Sequence, residues 1–367
     1  MEKIPVVIIG LGRIASLLED DALREKPCTH AGAVAANPDL RLAAGCDIDE
    51  ERRRLFAEKW RVPVYADAAE MIRVHAPRLL VVATRPDSHR RCCELAAARG
   101  IPVVICEKPL ADKLGDARRI ARLAADGFPA GAGAFPARAG RFPAGAGRVK
   151  IITNHERRYA EDYIRAAAIL GGGRLGRLLS VRAVLYMGRN RRLLDVFWHD
   201  GTHLADALMF LSGLTLKHRR RWGAKLTEKT GTAWLEALLV PSVGHGRPVE
   251  GIGQPPAPAA APVPVLIEVG AGRDHLVFEM EFSCERGRLR IGNGVFEVAE
   301  SVPSPYAEKF RSLEKTGETF EGPTGYFANM VKDAAACVLE PDRQPRSSAA
   351  DGLRVIEYLH SVKAWGR

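Results

Sequence analysis

Glu107, Lys108 and Pro109 follow the apolar run "VVIC" (103–106) without a break. Ion-forming side chains are costly to bury, so the run reads as a strand that ends where it emerges at a sheet edge. Pro109, with a fixed φ and no N–H, ends it and fixes the chain direction. Lys108 can there donate to a hydroxyl of a bound molecule, and Glu107 can hold that lysine or the bound molecule in position. An earlier apolar run, "VVII" (6–9), leads into "GLGRIA" (10–15). Gly10 allows a tight turn, Gly12 lets the backbone approach a pyrophosphate, and Ala15 lets a helix pack close to the strand. Arg13 and Ile14 complete the turn, and the helix behind it is expected to offer its first amides to phosphate. Asp47, closing "LRLAAGCD", is the carboxylate expected to accept both ribose hydroxyls of a dinucleotide. It would repel a 2′-phosphate, so NAD is expected over NADP.

These residues need a scaffold that delivers them to one edge. Through residues 1–127, apolar runs ("VVII", "LRLAAGC", "RLLVVAT", "IPVVIC") alternate with helical patterns ("DEERRRLFAEKW", "DAAEMIRVHA", "SHRRCCELAAARG", "DKLGDARRIARLAADG"). That alternation predicts βαβ units and an α/β, doubly wound parallel sheet. Thr84, Arg85, Pro86 and His89, in "ATRPDSH", then fall at its carboxyl edge beside Glu107 and Lys108, where ligands bind in such sheets, and all six are expected to contact the cofactor. The interval "SLLEDDALREKPCTHAGAV" after Ala15 is longer than one helix needs and contains Pro27. It reads as an inserted loop able to fold over a bound cofactor.

Residues 128–148 repeat a seven-residue unit, "FPAGAGA FPARAGR FPAGAGR". Pro and Gly in every copy exclude a coiled coil, and the stretch is expected to be a disordered loop. A Pro/Ala-rich stretch at 251–265 is expected to be a second flexible loop. Residues 149–367 are expected to form the substrate and oligomerisation domain. They read as an α+β domain with an open, mainly antiparallel sheet, "NG" (293–294) marking a hairpin. Two helices are predicted near 324–339 and 347–364.

"GLGRIA", the strand-end "EKP" and a downstream "DGTHLAD" together resemble the Gfo/Idh/MocA oxidoreductases, over nearly the whole chain apart from the two low-complexity stretches. The resemblance implies NAD(P) and a sugar, cyclitol or similar polyhydroxylated substrate. It also implies pairing of the C-terminal sheet between subunits, hence a homodimer or homotetramer. His203 and Gly201 match the family's D-x-G-x-H element, while His199 stands where the aspartate usually is, with Asp200 beside it. On this basis His203 is the expected general acid/base, Lys108 polarises the substrate oxygen, and His199 or Asp200 orients it. Asn154, Arg157, Arg158 and Tyr159, in "TNHERRY", are expected to bind substrate, with added charge from "MGRNRR" (187–192).

Competing readings use the same residues. His199 and His203, four apart, look like a shortened zinc motif, but Gly201 between them is a poor helix former, and no metal is expected. A redox-neutral glycosidase or epimerase on the same fold would retain and recycle its cofactor. A non-catalytic sensor or corepressor would have no use for Lys108 and His203. The formal charge of +10 accompanies scattered arginines and no nucleic-acid motif, so no nucleic-acid partner is expected. Seven cysteines without a C-x-x-C pair suit a reducing compartment. With no membrane-length apolar run and no signal-like start, no membrane partner is expected, and cytoplasm is the expected location.

Overall fold

The computed structural model describes residues 2–126, 148–189, 191–241 and 261–364. The heptad repeat up to residue 147 and the first part of the Pro/Ala-rich stretch lie outside the described residues. The chain divides into two compact units, residues 1–159 with 324–356, and residues 160–323 with 357–367.

In the first unit β1 (Ile4–Ile9), β2 (Leu40–Cys46), β3 (Val64–Tyr65), β4 (Leu79–Val82), β5 (Val103–Cys106) and β6 (Lys150–Thr153) make one sheet in the order β3-β2-β1-β4-β5-β6. Every pair is parallel. Helices α1 (His30–Ala36), α2 (Glu50–Trp60), α3 (Ala68–His75), α4 (His89–Ala98) and α5 (Leu114–Asp126) connect the strands. The central strands are apolar on both faces because helices cover both, and β4 and β5 are buried at every residue. Strand order reverses between β1 and β4, which opens a crevice at their carboxyl ends.

The expected division at residue 149 differs from this arrangement. "KIIT" is β6, pairing with β5 from Val103↔Lys150 to Cys106↔Thr153. Without it, the fully buried β5 would keep a row of unpaired backbone groups. The helix Tyr326–Leu339 (α9) also belongs to this unit. Its Phe327, Met330 and Val331 share one core with Ile8, Val81 and Ile105, an apolar burial that no local pattern near residue 150 announces.

The second unit holds α6 (Glu161–Gly171), α7 (Leu193–His199), α8 (Gly201–Ser212) and an eight-stranded sheet. Its strands are β7 (Leu178–Tyr186), β8 (Thr215–Gly223), β9 (Gly231–Val240), β10 (Val263–Ala271), β11 (Val277–Cys284), β12 (Gly287–Gly292), β13 (Val295–Pro303) and β14 (Arg311–Lys315). The order is β14-β13-β12-β11-β7-β10-β9-β8, antiparallel except for β7 with β10. Alternation sets the faces: Ala233, Leu235, Ala237 and Leu239 of β9 are buried, and the residues between them are partly exposed. Asn293 and Gly294, the latter at φ +75°, turn β12 into β13. Residues 263–265, expected in a loop, begin β10. The final helix, α10, spans Ala349–Ala364.

Candidate active site

β1 ends in the turn that the glycines require. Gly10 has φ +88°, and a Cβ there would stand 2.6 Å from the Ala83 carbonyl oxygen and 2.8 Å from the Thr84 nitrogen. Both are backbone and cannot yield. At Gly12 a Cβ would meet nothing nearer than Arg52 Nη1 at 3.8 Å, so the space against this backbone is open. A tight turn followed by an uncovered glycine is the cradle a pyrophosphate needs. Asp47, buried at the end of β2, accepts the Leu11 amide on Oδ2 at 2.8 Å and the Asp49 amide on Oδ1 at 3.0 Å. Each oxygen keeps a further lone pair for a hydroxyl. These residues fit a dinucleotide.

The expected helix behind the turn is absent. Residues 12–18 make one wide turn, with Ser16 N–H donating to the Gly12 carbonyl (3.1 Å) and Leu18 N–H to that of Arg13 (2.9 Å). A short 3₁₀ turn, Leu17–Asp20, follows, and α1 begins only at His30. Pro27 cannot donate into a continuing helix. Thr29 caps α1 by accepting the Gly32 amide at 3.1 Å. The inserted segment, expected as a flap over the cofactor, is tied down within this unit by two carboxylates. Glu19 accepts from Thr29 Oγ1 (2.5 Å) and the Cys28 amide (3.2 Å). Glu25 accepts from the Thr324 and Gly325 amides at the start of α9 (2.8 and 2.6 Å).

Thr84, Arg85 and Pro86 follow β4 at the same sheet edge, with Arg85 exposed. His89 is fully buried. Its ring nitrogens lie 3.1 Å from the Thr84 carbonyl and 3.3 Å from that of Leu110, and burial lowers its pKa. The sequence placed His89 in contact with the cofactor; the structure makes it a brace beneath the edge.

Glu107 is the centre of a buried polar cluster. Oε1 accepts from Asn154 Nδ2 (2.5 Å) and lies 2.8 Å from His30 Nε2, while Oε2 accepts the Lys108 amide at 3.1 Å. Burial would raise its pKa, but the His30, Asn154 and Lys108 interactions outweigh that and lower it. Ionised, Glu107 can only accept, so His30 carries its proton on Nε2. Lys108 itself is half-buried and also feels Glu156, whose carboxyl is pushed up by burial although Arg157 and Lys108 oppose the shift.

Three of the four residues expected to bind substrate in "TNHERRY" have other work. Asn154 is buried on Glu107. Arg158 is buried and pairs with Asp351 at 3.2 Å. Tyr159 is fully buried and donates to Asp333 Oδ2 at 3.1 Å. Arg157, paired with Glu156 at 3.1 Å, keeps partial exposure. The physical reason is β6: once "KIIT" joins the first sheet, the residues after it turn into the packing between that sheet and α9. His30, Glu19, Glu25 and Glu156 carry no motif in the sequence that marks them. Only Thr29, a capping residue before the apolar "AGAVAA", marks where α1 brings in His30.

In the second unit His199 ends α7 and is exposed, and His203 lies half-buried in the first turn of α8. Asp200 separates the helices, and its carboxylate is held by Arg191 Nη1 at 2.7 Å. Arg192 pairs with Asp195 at 2.7 Å, so that part of the "MGRNRR" charge is spent within the unit. Among the described residues, no group of three His, Cys, Asp or Glu side chains gathers as a metal site. No described helix is long and apolar enough to cross a membrane.

Residues 4–127 match the profile of the Gfo/Idh/MocA oxidoreductase family, NAD-binding Rossmann fold. Over these residues, about a third of the chain, it is similar to that family. The D-apiose dehydrogenase of Rhizobium rhizogenes (strain K84) is 37% identical over 82 residues, 22% of this chain and 24% of that protein's length. Two solved structures share the fold across both units. A dehydrogenase from Chromobacterium violaceum is 15% identical, with TM-score 0.70, covering 99% of this chain and 95% of that one. The WlbA dehydrogenase from Bordetella pertussis, in complex with NADH and UDP-GlcNAcA, is 18% identical, with TM-score 0.67, covering 99% and 96%.

Proposed function

We propose that this protein is an NAD-dependent dehydrogenase of a sugar, cyclitol or related polyhydroxylated small molecule. The observation that carries the reading is the open turn at Gly12, joined to the Asp47 carboxylate at one sheet edge. Gly10, Gly12 and the amides of residues 13–15 would hold the pyrophosphate, and Asp47 the adenosine ribose, which favours NAD over NADP. A bound nicotinamide supplies the capacity to take up or release hydride.

The chain's own residues do the rest. Lys108, its amide held by the ionised Glu107, donates to the substrate oxygen and stabilises charge building there. His203, assigned through the family resemblance, takes the alcohol proton as hydride leaves carbon, and returns it in the reverse direction. Asp200, held by Arg191, or the exposed His199 orients the substrate. The related D-apiose dehydrogenase and the UDP-GlcNAcA complex of WlbA support the sugar class. A homo-oligomer through the second sheet agrees with the partly exposed Trp222 and Leu266 on that sheet.

Titration with NADH and NADPH, followed by nicotinamide fluorescence, tests the cofactor. Tighter NADH binding is expected, and equal or weaker NADH binding removes the role given to Asp47. A panel of sugars, polyols and sugar acids with NAD then tests the reaction through NADH release. Cofactor that stays bound with no net NADH release would favour a redox-neutral reaction.

A further inference from the structure

His30 joins two parts of the first unit that the sheet keeps apart. Its backbone N–H donates to the Ile14 carbonyl at 3.1 Å, and the next residue, Ala31, donates to the Ala15 carbonyl at 2.9 Å. Both acceptors belong to the glycine turn. Its side chain reaches the other way, with Nε2 2.8 Å from Glu107 Oε1, across 77 positions of sequence. The second oxygen of Glu107 accepts the Lys108 amide. The ring is fully buried and stands edge-on to Phe327, with centroids 5.2 Å apart and planes at 80°. Two backbone bonds fix the residue and a buried aromatic contact fixes the ring, so little rotamer freedom remains.

We infer that His30 is a positioning residue that couples the glycine turn to the Glu107–Lys108 turn, so that filling the phosphate cradle orders the lysine. The relay is a continuous series of hydrogen bonds: the His30 and Ala31 amides to the glycine-turn carbonyls, His30 Nε2–H to Glu107, and the Lys108 amide to Glu107. No proton need move along it. A ligand that orders the turn at residues 12–15 stabilises the start of α1, and the imidazole transmits this as restraint on Glu107. The β1–β4–β5 ladder also connects the two turns, but it does not involve His30, so variants at this residue separate the routes. The inference rests on the dinucleotide reading above.

ADP is the probe, because it carries adenosine and pyrophosphate but no nicotinamide that could touch Lys108. Amide hydrogen exchange is followed with and without ADP in the whole chain. In the unaltered protein, ADP is expected to slow exchange at 10–16 and also, by roughly threefold or more, at 107–113. In His30→Leu, which keeps the apolar contact with Phe327, the effect at 10–16 should persist and that at 107–113 should vanish. His30→Asn, polar but too short to reach Glu107, should behave like His30→Leu and serves if the latter does not fold. His30→Gln can reach Glu107 and should restore the effect, which loss of packing alone would not do. Protection at 10–16 without any at 107–113 overturns this inference alone, as does an unchanged pattern in both His30→Leu and His30→Asn. No protection at either segment overturns the dinucleotide reading with it.

Discussion

Asp47 accepts the Leu11 amide at 2.8 Å, so the end of β2 and the glycine turn after β1 are held together by one carboxylate. Asp47→Asn removes the charge and sets an amide group against one of two backbone N–H donors. A charge-assisted hydrogen bond is worth about 1.5–3 kcal/mol. NADH affinity is therefore expected to fall by about tenfold to a hundredfold. NADPH, no longer repelled, should lose less. Paired fluorescence titrations read the ratio, and an unchanged ratio would remove Asp47 from cofactor choice.

The two glycines of the turn should separate stability from binding. Gly10→Ala places Cβ against the Ala83 and Thr84 backbone at a φ of +88°. Strain of this kind is expected to cost at least about 2 kcal/mol. Gly12→Ala meets nothing within ordinary contact distance except Arg52 Nη1 at 3.8 Å. Its stability should stay within about 0.5 kcal/mol, while its methyl occupies the pyrophosphate's space and NADH binding weakens by about tenfold or more. Urea unfolding and NADH titration on both variants check the contrast.

Lys108→Met and His203→Asn test the chemical roles. Loss of a positioned proton-transfer or charge-stabilising group is expected to reduce turnover by about 10²- to 10⁴-fold. NADH affinity should stay within about threefold in both, because neither residue is assigned to the pyrophosphate or the adenosine ribose. Steady-state kinetics on the best substrate of the panel, beside NADH titration, make the measurement. Turnover close to that of the unaltered protein would move the chemistry elsewhere.

Asp351 gives the first unit a defined acid limb. Burial opposes ionisation of its carboxyl, but Arg158 and Arg354 prevail and hold its pKa at about 2, against an ordinary 3.8. A lowered folded-state value contributes stability above the unfolded pKa, and that contribution fades as pH falls from about 4 through 2. Between pH 5 and pH 2 the loss from this group should be about 2 kcal/mol. Asp351→Asn is less stable at neutral pH, because buried Arg158 loses its charged partner. It should also show a pH 5 to pH 2 difference smaller by that amount, measured from urea midpoints. An acid limb as steep as in the unaltered protein would contradict the assignment.

The first four long strand segments and their helices could be read locally because their signals are local. Both-face burial makes β1, β4 and β5 continuous apolar runs, Asp49 and Asp67 cap α2 and α3, and the two-glycine turn has few uses at the end of a first strand. Those features alone put Gly10, Gly12, Asp47, Thr84, Glu107 and Lys108 at one edge. The sequence could not show that "KIIT" completes the first sheet or that α9 belongs with it, since strand pairing and apolar burial depend on partners far along the chain. The same long-range packing took Asn154, Arg158 and Tyr159 from surface to interior. It also brought His30, behind an insertion with no local periodicity, onto Glu107. Composition and spacing pointed to the chemistry proposed for the chain; only the tertiary structure decided which polar groups stay at the sheet edge and which are buried to hold others in place, because a buried polar group must find its partner wherever the fold brings one.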